Sequence, residues 1–266
     1  MFDHFSPDES FVLIGTSVVG LVAWASWYYA LAKVGRGVRR CGRRWHLAWA
    51  PLFCAALLYI VLRAWSAEDV RTDDRYMAFY LAMGMAWLAI FRALLPLFGL
   101  SARDDVLERG NDAAAWALTG ALVGGMCCFA GGNVGNGPGW WVVLFSALLA
   151  GMTLLLLWWI VERASKLADK VTVDRDLAAG LRTAGFFIAI GLVLGRAVAG
   201  DWVSAEVTVS EFMRMAWPAA VLTAGAVAVE RCCSPVTERS PLSLLGSGWV
   251  PALMYVAAGI IDILVL

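Results

Sequence analysis

The sequence predicts an all-α, polytopic membrane helix bundle of eight transmembrane helices with a tandem two-helix repeat. Three observations carry that expectation. Hydrophobic residues make up 61% of the chain and charged residues 16%, whereas soluble domains carry about a quarter charged residues. Charges this scarce cannot cover a water-facing surface. Eight apolar segments are each long enough to cross a hydrocarbon core of about 30 Å as a helix. The connections between them alternate between arginine-rich and arginine-poor.

The segments follow from apolar length bounded by charge, glycine or proline. They run approximately over 11–33, 46–64, 77–98, 112–131, 140–161, 177–197, 208–229 and 244–265. The first follows MFDHFSPDES, which carries Asp3, Asp8 and Glu9 but no Lys or Arg. A cleaved secretory signal needs a basic n-region, so this segment reads as a retained helix. The fourth and fifth form a hairpin around the glycine-rich turn Gly131–Gly139, whose Gly and Asn content suits left-handed backbone angles. The turn has no Gly-Lys-Ser/Thr of a P-loop and no dinucleotide spacing. A re-entrant course through the membrane is the alternative for it. In the fifth segment Trp140 and Trp141 open and Trp158 and Trp159 close a helix of roughly 29 Å, the separation of two interfacial aromatic belts.

Orientation follows from the basic residues. The connections after the first, third, fifth and seventh segments hold 14 Lys and Arg, including Lys33, Arg36, Arg39, Arg40, Arg43 and Arg44 in one loop; the opposite face holds Arg63, Arg71, Arg75, Arg196 and Arg214. The positive-inside bias puts the 14 in the cytoplasm and both termini outside it. Basic and acidic residues balance at 21 each, which leaves no global field for nucleic acid. The lipid bilayer is the expected partner, with anionic lipid at the 33–44 loop.

Placing Asn111 on Asp176, an offset of 65, superposes Ala113 and Ala114 on Ala178 and Ala179 and Gly120 on Gly185. The following helices end in Glu162-Arg163 and Glu230-Arg231. Repeat units are therefore expected at 107–172 and 173–233, with a weaker one at 42–106. Both copies enter the membrane from the same side, so their symmetry axis should run along the membrane normal. Gly120 with Gly124, and Gly191 with Gly195, give corresponding helices small-residue faces for close packing, within a subunit or between subunits of a homo-oligomer.

At these copies, GNDAAAWALTGALVGG and RDLAAGLRTAGFFIAIG, the sequence resembles a bacterial inner-membrane family catalogued as domain of unknown function three-fifty, with YjfL-like members. Gly110 and Asn111 match its opening dipeptide, whereas the second copy departs with Arg175 and Asp176. The resemblance covers roughly residues 105–231. It implies an integral membrane protein of the bacterial inner membrane, no established chemistry, and a coiled-coil partner of the envelope-stress type.

Candidate functional residues are few. Asn111 and Asp176 stand where cytoplasmic loops enter apolar helices; they suit N-caps, and the sharper reading has them line a cytoplasmic vestibule or bind a cation. Arg92 and Arg182 lie inside the cytoplasmic ends of their segments, where long side chains snorkel. Glu211 and Asp262 near the outer face form an acidic mouth if the last three segments converge. Arg39, Arg40, Arg43 and Arg44 are the candidate partner residues. No ionisable residue falls at mid-membrane, which argues against a proton relay or voltage sensor.

Neither a metal nor another cofactor is expected. Cys41, His46, Cys232 and Cys233 match no zinc spacing, and free cysteine behaves as a small apolar residue. The sequence holds two histidines, and no nucleophile motif accompanies them, which disfavours catalysis. The remaining expectations are a non-enzymatic membrane component or scaffold in envelope homeostasis and, as the alternative, a channel or transporter with its pathway between the repeats.

Overall fold

The computed structural model describes residues 5–37, 45–232 and 244–265, and the fold over them is all helical. The long helices are α1 (Pro7–Gly37), α2 (Trp45–Trp65), α4 (Asp74–Leu94), α5 (Asp112–Gly131), α6 (Trp140–Ser165) and α8 (Leu177–Ala197). Short helices α3 (Glu68–Thr72) and α7 (Leu167–Thr172) sit in connections; α9 (Ala205–Met215), α10 (Trp217–Cys232) and α11 (Val250–Val265) complete the chain. A 3-10 turn at Leu95–Phe98 and π-helical turns at Ala102–Glu108 and Leu245–Trp249 cap or precede their neighbours.

Seven helical stretches are long and apolar enough to cross a membrane, and α9 with α10 make an eighth if the bent pair is one span. The protein is a multi-pass membrane protein. The expected uninterrupted seventh helix over 208–229 is not found, because α9 and α10 meet at 42° at Ala216. Pro218 accounts for the break, since it lacks an N–H and its ring clashes with the carbonyl four residues earlier. The connections are also more ordered than the sequence suggests. Ser6 and Glu9 form a capping box at the start of α1, with Glu9 Oε2 accepting from Ser6 N–H at 2.9 Å and Ser6 Oγ accepting from Glu9 N–H at 3.4 Å.

Two helices form the centre. Buried residues make up 89% of the apolar window of α5 and 83% of that of α8, against 17% for α1 at the periphery. Glycine and alanine bring α5 and α8 together backbone to backbone. A Cβ added at Gly124 would lie 2.2 Å from Phe187 O, one at Gly191 2.4 Å from Gly124 Cα, and one at Gly195 2.4 Å from Cys127 O. The contact runs from Gly180 against Ala113 at one end to Gly131 against Gly195 at the other. Lipid tails are as apolar as leucine, so helices in a membrane gain from close van der Waals approach instead, and small residues permit it. On its other side α8 meets α11 in the same way, through Gly185 against Ala252 and Gly259 against Ala189.

Every cross-connection hydrogen bond stays within one end of the bundle. At one end Asn111 reaches Val171, and Arg182 reaches Glu230 and Ser247. At the other, Gly135 reaches Trp65 and Trp140 reaches Asp8. The first is called the basic end below, after Lys33, Arg103, Arg109, Arg163, Lys166, Lys170, Arg175 and Arg231 in its connections.

Candidate functional site

At the basic end Asn111 and Asp176 begin α5 and α8. Asn111 Oδ1 accepts from the Ala113 and Ala114 N–H groups at 3.0 and 3.2 Å, and Asp176 Oδ1 accepts from Ala178 N–H at 2.9 Å. Both helix starts follow the same backbone path at the 65-residue offset. Arg109 and Asp174 N–H donate to Asp104 and Asp169 O, Asn111 and Asp176 N–H donate to Asp105 and Lys170 O, and the residues before the caps, Gly110 and Arg175, both take left-handed φ of 68° and 56°. Asn111 differs in being 1% exposed and in donating through Nδ2 to Val171 O at 2.7 Å. An aspartate cannot make that bond, because a carboxylate has no N–H. A cavity of about 470 Å³ opens beside these helix starts, lined by Asn111, Asp112, Trp116 and Arg175 among others. His46 is buried and stacks on Trp116 at 4.5 Å between ring centroids, and Trp116 meets Trp249 edge-on at 5.6 Å.

Arg182 does not snorkel, contrary to the expectation for it. Its side chain is 3% exposed, and its Nε and Nη2 donate to the carboxylate of Glu230, the second at 2.9 Å; Glu230 is itself 1% exposed. Lys170 Nζ adds contacts to Glu230 Oε2 at 3.1 Å and to Glu230 O at 2.9 Å, while Arg182 Nη1 donates to Ser247 O at 2.6 Å. Four chain segments, α7, α8, α10 and the turn leading into α11, thus meet around one buried pair, Arg182 with Glu230. The physical reason is that a partner acid lies within reach, which makes pairing better than stretching toward headgroups. Sequence reasoning missed Glu230 because Glu230-Arg231 reads as a helix end. The signal was an arginine on an apolar helix, 65 positions after Ala117, which carries no charge.

Arg92 is half-buried, with its guanidinium 5.1 Å from the ring centroids of both Trp24 and Trp27. Trp158, expected at an interface, is fully buried and its indole donates to Phe98 O at 3.0 Å. Trp141 and Trp159 are 44% and 43% exposed, as interfacial rings would be.

At the opposite end the glycine turn joins the ends of neighbouring helices. Gly135 N–H donates to Trp65 O at 3.1 Å, Gly200 N–H to Val134 O at 3.0 Å and Trp202 N–H to Asn136 O at 2.8 Å. Asp201 Oδ1 accepts from the Asn136 backbone and side-chain N–H groups at 2.7 and 3.0 Å. Gly135 has φ of 100°, and a Cβ there would lie 2.4 Å from Gly200 O, so only glycine fits. Glu211 is exposed on α9, whereas Asp262 is buried on α11 where the charge of Arg196 acts on it. Neither lines the cavity of about 310 Å³ at this end, whose acids are Glu9 and Asp69.

Arg39, Arg40, Arg43, Arg44, Cys41 and Cys233 lie outside the described residues. Cys232 is exposed and Cys54, Cys127 and Cys128 are buried. Among the described residues no three His, Cys, Asp or Glu side chains are grouped closely enough to hold a metal ion.

Fold and ends together define a multi-pass membrane protein built on a glycine-packed helix pair. The model of the family described as Domain of Unknown Function (DUF350) matches residues 72–198, from the end of α3 through α8. The match starts one span before the 105–231 resemblance and ends ahead of α9 and α10. No curated protein and no solved structure matches the chain.

Proposed function

We propose that the protein is a non-enzymatic structural component of the bacterial inner membrane, a rigid helical frame that presents its basic end to a cytoplasmic partner in envelope homeostasis. The observation that carries this reading is the α5–α8 contact. The two helices a pathway would have to separate touch backbone to backbone over their whole length. The frame is read as a tandem repeat, supported by the matched caps, left-handed residues and backbone bonds at the 65-residue offset. The excess of 14 basic residues over five supports a cytoplasmic basic end with both termini outside. The family resemblance supplies the expectation of a coiled-coil envelope-stress partner. Oligomerisation through remaining small-residue faces is part of the same reading.

A channel or transporter between the repeats is the second reading, favoured by the cavities at the two ends. It requires α5 and α8 to part and exchange glycine contacts for water.

Co-purification from mild detergent, followed by mass spectrometry of proteins and lipids, tests the proposal. A partner or anionic lipid is expected with the wild type and is expected to be lost when Arg39, Arg40, Arg43 and Arg44 are replaced by Ser. Recovery of the protein alone, with localisation indifferent to those replacements, sinks it. Solute flux through the reconstituted protein would favour the second reading.

A further inference from the structure

The cavity at the end opposite the basic connections sets two carboxylates, hydroxyls and amides among glycines and valines. Glu9 comes from α1, Ser66 from the end of α2, Asp69 from α3, Tyr76 and Tyr80 from α4, and Asn133 from the turn after α5. Among the described residues no Lys, Arg or His lines it. Its glycine roof is held by the Gly135–Trp65 and Gly200–Val134 backbone bonds and by Asp201 on Asn136, so the site is organised before any ligand arrives.

Tyr80 is the telling residue. It is 8% exposed, and its hydroxyl, on the cavity wall, makes no hydrogen bond among the described residues. The hydroxyl opens onto the cavity and is not sealed in the protein, so its oxygen is available to accept. Glu9 and Asp69 line the same cavity, and Tyr76 donates its hydroxyl toward Glu9 Oε1 at 3.5 Å. Acceptor oxygens and phenol rings therefore line one hollow whose described lining supplies no cation. An ammonium offers only donors and one positive charge, and tyrosine rings attract such cations. A volume of about 310 Å³ is at the lower end of small-molecule sites and exceeds what a bare metal ion needs; no three-ligand metal group exists among the described residues.

We propose that this cavity binds an organic ammonium, with the Asp69 and Glu9 carboxylates as counter-charges and the Tyr80 hydroxyl as an additional acceptor. The same chemistry is carried by free amines and by the ethanolamine headgroup of a lipid. The site goes beyond the scaffold reading and does not depend on it.

The test uses the full-length protein in nanodiscs of phosphatidylglycerol alone, titrated calorimetrically at pH 7 with putrescine, ethanolamine and neutral 1,4-butanediol. Saturable binding of an amine and none of butanediol is expected. Asp69→Asn and Tyr80→Phe are expected to weaken binding at least tenfold; the second keeps the ring and hence the packing. A second set of nanodiscs containing phosphatidylethanolamine separates the sources. If the headgroup is the ligand, that lipid displaces putrescine and is retained through delipidation by the wild type but lost from both variants. The proposal is overturned if no amine binds in the first discs and no phosphatidylethanolamine is selectively retained in the second. Butanediol binding as well as the amines, or both variants binding like wild type, overturns it too.

Discussion

Replacing Glu230 with Gln is the most informative perturbation of the basic end. Glu230 is 1% exposed and accepts from two nitrogens of Arg182, which is 3% exposed, so the substitution leaves a guanidinium in a nearly dry site facing a neutral amide. Removing one partner of a buried pair costs about 3–5 kcal/mol, because the remaining charge is uncompensated. The Ser247 carbonyl still holds Arg182 Nη1, which places the expectation at the lower half of that range. Lys170, 20% exposed, can turn toward water, so Lys170→Met should cost less, about 1–2 kcal/mol for a charged hydrogen bond. Arg182→Leu with Glu230→Leu should recover most of the loss, since neither charge then remains buried. Unfolding by SDS titration in mixed micelles, followed by tryptophan fluorescence, of the wild type, Arg182→Leu, Glu230→Leu and the double variant gives the four values for a double-mutant cycle. If Glu230→Gln and Arg182→Gln each fall within about 0.5 kcal/mol of wild type, the buried pair carries no stability and the meeting of four segments around Arg182 and Glu230 is incidental.

Three further outcomes are expected. Gly191→Leu puts a Cβ 2.4 Å from Gly124 Cα and must push α5 from α8; a loss of at least about 3 kcal/mol is expected, whereas the same change at Gly225, with open space around it, should cost no more than about 1 kcal/mol in the same titration. Asn111→Asp keeps the cap but loses the bond to Val171 O, so a drop of about 1–2 kcal/mol is expected, with the reverse change at Asp176 near neutral. Asn136→Cys should react with a membrane-impermeant maleimide added to intact cells; labelling only after permeabilisation would reverse the orientation.

The helical architecture was legible because bilayer crossing demands long apolar runs, and the two central helices announced themselves through Gly120, Gly124, Gly191 and Gly195. The break at Ala216 was written in Pro218 but outweighed by hydropathy, which does not register a missing N–H. Partnerships were less legible. Arg182 and Glu230 lie 48 positions apart, and nothing in the pattern pairs them, so each reads against lipid rather than against the other. The cavity beside Tyr80 draws on segments spread from α1 to α9, and its residues acquire meaning only when those segments meet. Asp262 and Glu211 share an end of the bundle but not a wall, a distinction that spacing cannot supply.

The tryptophans show how the rest of the bundle is held where glycine is absent. Trp24 donates to Met85 O and Trp27 to Leu47 O, tying α1 to α4 and α2; Trp87 donates to Gly125 O, tying α4 to α5; Trp158 donates to Phe98 O, tying α6 to the end of α4. Each indole fills the gap between helices with apolar ring and spends its one N–H on a neighbour's carbonyl, which in hydrocarbon has no water competing for it. Interhelical bonds of this kind contribute about 0.6 kcal/mol on average in membrane proteins, so no single one fixes the fold. Their distribution does matter. Glycine joins the central pair by removing side chains, and tryptophan joins the outer helices by supplying large ones; neither device needs a charged group, and the Thr183 hydroxyl is a buried polar atom of α8 that no hydrogen bond engages among the described residues. The carboxylates and guanidinium groups that pair with one another gather instead at the two ends, as Arg182 with Glu230 and Arg63 with Asp74 do.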